Sequence, residues 1–314
     1  MKQKSLRIIL MVSVLLVLLL GITGPARAEE ASSPNLTPEQ WVGHTFLFLD
    51  LPADKRSEGY EIFNKDQAEQ GFQGDRSVRI PYAQHVGKQV TVTDVVTYPA
   101  GDNNEYIVYL SENNTGEKLV GRTMRGKLDG LVLEADMTKA RQQFLGKTIY
   151  LKNRVLPGVY DLSSGAAPAA VTTKIGSAAQ VIDVWAGIQS QDPIWLIVMV
   201  NGQKATLPLA YSYTNQPLST WQNSPPWQDV LFMENPRVTF GWPEALWEKI
   251  ETGTVEVGMT KEQVRLSWGR PASIDENNYG PGKSVWNYTT KALTFDGDNL
   301  ISLENTELGD TVAP

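Results

Sequence analysis

Apolar and polar residues alternate over several short stretches between residues 41 and 210, a period that predicts strands with one buried face. Val90 and Val92 keep the period, and Val95 falls one residue out of phase ahead of a loop at Gly101-Asp102-Asn103-Asn104. Tyr106 to Leu110 is then expected to pair with Lys118 to Arg122 across Asn113-Asn114-Thr115-Gly116. Further on, Ile149 and Leu151 alternate, Val181 to Trp185 reads as a strand, and Trp195 to Val200 turns through Asn201-Gly202 into Lys204 to Leu207. Asn-Gly between two apolar runs is a strong hairpin signal, because both central positions of the tight turn need positive φ. Asp136 to Gln143 reads as a short helix, and Ser163 to Thr173, rich in Ser, Gly, Ala and Pro, as a surface loop.

A phrase of the form apolar-Gly-x-x-apolar recurs at Trp41-Val42-Gly43-His44-Thr45-Phe46, His85-Val86-Gly87-Lys88-Gln89-Val90 and Phe144-Leu145-Gly146-Lys147-Thr148-Ile149. Each copy opens an alternating segment. On this repeat, residues 41–210 form a β-rich region that resembles two bacterial SH3-like barrels, about 85–135 and 144–210, with a partial lead-in copy before them. A β-sandwich yields a similar pattern and stays open as an alternative. Residues 211–242 form a Pro/Trp-rich connector in which Trp221, Trp227 and Trp242 sit among Pro217, Pro225, Pro226 and Pro236, a composition that excludes a long helix or a central strand. These tryptophans are expected to pack between the two halves, or else to line an aromatic groove for a partner.

Residues 243–304 have a different pattern. Pro243 suits a first helical position, Leu246, Trp247 and Ile250 share a face, and Gly253 ends the helix. Thr260 with Gln263 three residues on forms a capping box for a second helix through Val264 and Trp268, which Gly269 and Pro271 stop. Strand-like runs follow at Ala272 to Asp275, Ser284 to Tyr288, Ala292 to Phe295 and Leu300 to Leu303. Gly258-Met259-Thr260, Val264, Trp268-Gly269-Arg270-Pro271, Trp286-Asn287-Tyr288 and Leu293-Thr294-Phe295 resemble the SmpA/OmlA family, the BamE-like domain of outer-membrane assembly proteins. The resemblance implies a two-helix plus antiparallel-sheet domain that binds envelope proteins without catalysis, and the same architecture serves proteinaceous β-lactamase inhibitors. The expected whole is a multi-domain α+β protein with a β-rich amino-terminal region.

The amino terminus points to export. Lys2, Lys4 and Arg7 precede the apolar stretch Ile8 to Leu20, and Ala26-Arg27-Ala28 offers small residues to a signal peptidase, so residues 1–28 read as a cleaved signal peptide. A retained anchor is the alternative. Residues 29–40 read as a flexible leader, and 305–314 as a tail. The chain has no cysteine, which excludes disulfides, thiolate metal sites and a lipid-anchored lipoprotein. Four of the 28 basic residues leave with the signal, so 24 face 35 acidic ones, a net charge of −11 that disfavours nucleic acid as a partner.

Only His44 and His85 are available for imidazole chemistry, and each is expected at an ordinary strand edge. Gly282-Lys283-Ser284 lacks the earlier glycine of a phosphate loop, and Asp296-Gly297-Asp298-Asn299 reads as a tight turn instead of a calcium loop. No catalytic, cofactor-binding or metal-ligating residue is assigned. The expected function is that of a noncatalytic periplasmic or secreted envelope protein that binds other envelope proteins or cell-wall polymer in an assembly or scaffold role. The alternatives are a secreted inhibitor of an extracellular hydrolase and a glycan-binding enzyme.

Overall fold

The computed structural model describes residues 35–66, 79–101, 103–161, 163, 168–187, 193–216 and 225–306. The expected signal peptide and Trp221 lie outside them. In chain order come β1 (Thr45–Phe48), α1 (Ala53–Arg56), β2 (Tyr60–Asn64), β3 (Arg79–Ile80), α2 (Tyr82–His85), β4 (Gln89–Ala100), β5 (Asn103–Glu112), β6 (Lys118–Thr123) and β7 (Leu131–Leu133). These strands form one sheet in the order β3-β2-β6-β5-β4-β1-β7, with every neighbouring pair antiparallel. Val90, Val92, Val108, Leu110 and Leu119 share a core with Trp41, Phe46 and Phe48. The β4–β5 register shifts between Val92 and Asp94, and that extra residue returns Val95 to the core side, which explains its odd phase in the sequence.

α3 (Glu134–Phe144) follows, then β8 (Thr148–Leu151), β9 (Val155–Pro157), β10 (Ala170–Thr172), β11 (Ala178–Ala186), β12 (Ile194–Val200), β13 (Gln203–Leu209) and β14 (Leu231–Phe232). β9 and β10 pair alone, and the others form a second sheet in the order β13-β12-β11-β8-β14. Asn201 and Gly202, with φ of 51° and 75°, join β12 to β13. α3 places Met137, Ala140 and Phe144 in a core with Val181, Val184 and Leu196, and Leu49 and Val132 join it from the first-sheet side. Residues 212–216 then run back as a buried polar strap. Asn215 accepts from Leu128 N at 2.7 Å and donates to the Leu131 carbonyl at 2.7 Å, and Ser212 donates to the buried Asp136 carboxylate. Asn35 and Leu36, at the end of the expected leader, bond to this strap: Leu36 N donates to Thr214 Oγ1 at 3.2 Å and Tyr213 N to Asn35 Oδ1 at 3.0 Å.

The recurring phrase is one local structure used three times. Trp41, His85 and Phe144 each end a helix and are buried, at 0%, 2% and 0% exposure. The next residue (Val42, Val86, Leu145) is extended and exposed, and the glycine after it has φ of 84°, 77° or 75°, which is a type II turn. The fourth residue donates back to the buried anchor's carbonyl at 2.8, 3.0 and 3.0 Å. Each glycine N–H bonds to a neighbouring strand, at Val92, Phe48 and Val181, so the turn launches its strand already in register.

The carboxy-terminal part holds α4 (Pro236–Phe240), α5 (Glu244–Glu251), α6 (Lys261–Trp268), β15 (Ser273–Asp275), β16 (Lys283–Asn287), β17 (Lys291–Asp296) and β18 (Asn299–Asn305), the strands forming an antiparallel sheet in sequence order. Thr260 and Gln263 make the capping box of α6.

Two parts of the expected architecture are corrected. The chain is strand-rich, and its antiparallel sheets curl as half-barrels in place of two small SH3-like barrels. Residues 45–80 are the cause: β1 pairs with both β4 and β7, and β2 and β3 extend the opposite edge, so the β4–β6 meander grows to seven strands. Nor is the carboxy-terminal part a two-helix BamE-like domain within an α+β protein. Only three described helices reach eight residues, α3, α5 and α6. α5 packs Trp247 and Ile250 with Ile175, Leu266, Phe232 and Trp242, a cluster separate from the sheet core of Val264, Trp286, Leu293 and Phe295. Arg154, just ahead of β9, seals this junction by donating to the carbonyls of Ile250, Glu251 (3.1 Å) and Ser267 (3.1 Å). Helix ends that need an arginine from elsewhere in the chain belong to a shared core.

Candidate functional site

The sequence-predicted residues are mostly consumed by packing. Trp227 is 7% exposed with its ring edge-on to Phe144 at 5.2 Å, and Trp242 stacks on Phe240 at 4.3 Å and leans on Trp247 at 5.1 Å. Met259, Val264 and Trp286 are core residues of the carboxy-terminal sheet. Trp268 donates to the Gly253 carbonyl at 2.7 Å and meets Tyr288 edge-on, while Tyr288 donates to the Gly269 carbonyl at 2.9 Å. Partial burial pushes the Tyr288 phenol up to about 12. Gly258 N donates to the Leu300 carbonyl, and Pro271 lies just ahead of β15. Asp296 to Asn299 form the β17–β18 turn, whose Asp298 carbonyl accepts from Lys261 N at 3.0 Å.

A cleft of about 520 Å³ opens elsewhere, where residues 47–52, α3 and the β11–β12 hairpin meet. Its size falls within the range of small-ligand and side-chain pockets. Trp185 and Trp195 stand opposite each other across β11 and β12, and both line it together with Tyr160. Leu47, Leu49 and Met137 supply apolar wall from the other side. A bulge between Val181 and Asp183 lets Asp183 turn back on its own strand, where it accepts from Val184 N at 2.8 Å and Trp185 Nε1 at 2.7 Å. Trp195 is set by Gly187: a Cβ there would lie 2.3 Å from the indole, so only a glycine lets the ring lie against the backbone.

The charged groups of the cleft are already engaged. Arg141 donates to the Val184 carbonyl at 3.5 Å. Asp50 accepts from Arg56 at 3.2 Å and from the Tyr82 hydroxyl, and desolvation together with that carboxylate pushes the Tyr82 phenol up. What remains is an aromatic and aliphatic surface suited to apolar contact. The sequence reading missed Trp185 and Trp195. The available signal was their place at facing ends of two strand-like runs, but pairing them required the register. His44 lies in the turn before β1, and His85 is buried at the end of α2.

Among the described residues no helix is long and apolar enough to cross a membrane. No known protein family, curated protein or solved structure matches the chain.

Proposed function

We propose that the chain is an exported, noncatalytic binding protein of the cell envelope, and that the cleft between α3 and the β11–β12 hairpin takes an apolar segment of a partner protein. Export is supported by Lys2, Lys4 and Arg7, the apolar stretch from Ile8 and the Ala26-Arg27-Ala28 site. Binding rests on one observation: Trp185 and Trp195 line a concave surface whose charged neighbours, Asp50 and Arg141, are bonded to other protein groups. A sugar-binding site pairs an aromatic platform with polar atoms that reach the hydroxyls, so the apolar wall of Leu47, Leu49 and Met137 favours a protein side chain over a glycan.

Immobilised protein is to be compared with a Trp185→Ala/Trp195→Ala variant, using solubilised envelope proteins in one arm and purified cell-wall polymer in the other. The expected result is a retained polypeptide whose affinity falls at least about 30-fold in the variant, the effect of removing an aromatic anchor. Equal retention by both proteins, or tryptophan-dependent binding of the polymer alone, would refute the protein-binding assignment.

A further inference from the structure

His85 occupies a position that two apolar anchors fill elsewhere in the chain. In the three copies of the helix-end turn the last helical residue is Trp41, His85 or Phe144, and each is buried. His85 still packs as a ring, edge-on to Phe48 at 5.7 Å, but it brings two ring nitrogens into a position that apolar side chains fill in the other two copies.

Its surroundings define its chemistry. Nδ1 lies 3.0 Å from the Pro81 carbonyl, which can only accept, so Nδ1 carries the proton. The other nitrogen, Nε2, is buried and has no hydrogen-bond partner. It faces Glu112 Oε2 at 3.8 Å and Glu117 Oε2 at 3.5 Å. The β5–β6 hairpin brings these two carboxylates together: Ser111 pairs with Lys118, and Glu112 N donates to the Glu117 carbonyl, so the two acids close the turn. The Glu112 side chain is fully buried, held by Lys88 Nζ at 3.0 Å from each oxygen and by Thr115 Oγ1 at 3.1 Å. Two carboxylates and one ammonium leave a formal charge of −1 in front of a nitrogen lone pair. A buried lone pair aimed at carboxylate oxygens is repulsive unless a proton or a metal cation lies between them.

We propose that His85 Nε2, Glu112 Oε2 and Glu117 Oε2 form a site for one divalent transition-metal ion, with zinc as the best match to one imidazole and two carboxylates. In tetrahedral zinc sites with bonds of about 2.0–2.1 Å the ligand atoms stand roughly 3.3 Å apart. The three ligand atoms lie within 4.8 Å of one another; the partly exposed Glu117 side chain can close its own 3.5 Å separation, while the buried His85 and Glu112 must approach each other from 3.8 Å. The Pro81 carbonyl orients the imidazole from behind, as outer partners of metal-bound histidines do. The bound ion ties the end of α2 to the β5–β6 hairpin and so braces the first sheet. Lys88 is the built-in competitor, since it neutralises Glu112.

The test uses the purified full chain, stripped with chelator, dialysed, and titrated with zinc chloride by calorimetry, with bound metal measured directly. One zinc per chain and a melting temperature that rises with zinc are expected. His85→Phe, which installs the residue found at Phe144, is expected to fold and to bind no zinc. Glu117→Gln keeps the buried Glu112–Lys88 pair and should weaken binding at least about tenfold. Lys88→Gln should bind more tightly than the parent, an effect no purely structural lysine would give. The proposal is overturned if the parent takes up no zinc at about 0.1 mM, if His85→Phe binds as well as the parent, or if Lys88→Gln binds more weakly. A parent whose stability relative to His85→Phe follows pH but not zinc would place a proton, and no metal, on Nε2.

Discussion

Gly187→Ala tests how the cleft is built. The added methyl carbon would stand 2.3 Å from both Cε2 and Nε1 of Trp195 and 2.6 Å from Cζ2, where ordinary contact begins near 3.4 Å. The ring or the backbone must therefore move by more than an ångström. If the indole stays, the end of β11 yields, and the cost is that of overpacking, about 1–3 kcal/mol. If the indole yields, it swings into the cleft, stability changes little, and the ring blocks the space a partner would fill. Urea unfolding read by circular dichroism separates the two cases, and tryptophan emission with the partner-capture assay reports the ring. Either a lower urea midpoint or shifted emission with lost capture is expected. A Gly187→Ala protein with the parent's midpoint, emission and capture would refute the claim that this glycine sets the tryptophan platform.

Two further outcomes follow from the carboxy-terminal junction. Arg154→Met removes three charge-assisted bonds to the carbonyls of Ile250, Glu251 and Ser267, and should cost about 3 kcal/mol in chemical unfolding; a loss under about 1 kcal/mol would show that α5 and α6 dock without it. Tyr288, raised from 10.0 to about 12 by burial, stays protonated in the folded chain after the unfolded chain has ionised. Its contribution is thus fully present below pH 10 and is lost as pH rises toward 12, so the parent should lose more stability than Tyr288→Phe between those values, and equal slopes would refute the assignment.

The local structure is legible from the residues alone. Asn201-Gly202 needs two positive φ angles and turns β12 into β13, Thr260 and Gln263 cap α6, and the glycine of each repeated phrase makes its type II turn. These features depend on residues within a few positions of one another, so their physics is carried by short segments. The resemblance at Gly258 to Tyr288 followed the same local pattern of caps and turns, and so it misjudged the larger architecture. Which strand lies beside which was decided by long-range burial: β1 lies between β4 and β7, and α5 buries Trp247 beside Ile175. The same reason hid both sites. Trp185 meets Trp195 only once β11 and β12 are in register, and His85 meets Glu112 and Glu117 only because α2 ends where the β5–β6 hairpin closes. A side chain's chemistry can be read from its type, but its neighbours are chosen by the packing of apolar faces far apart in the chain.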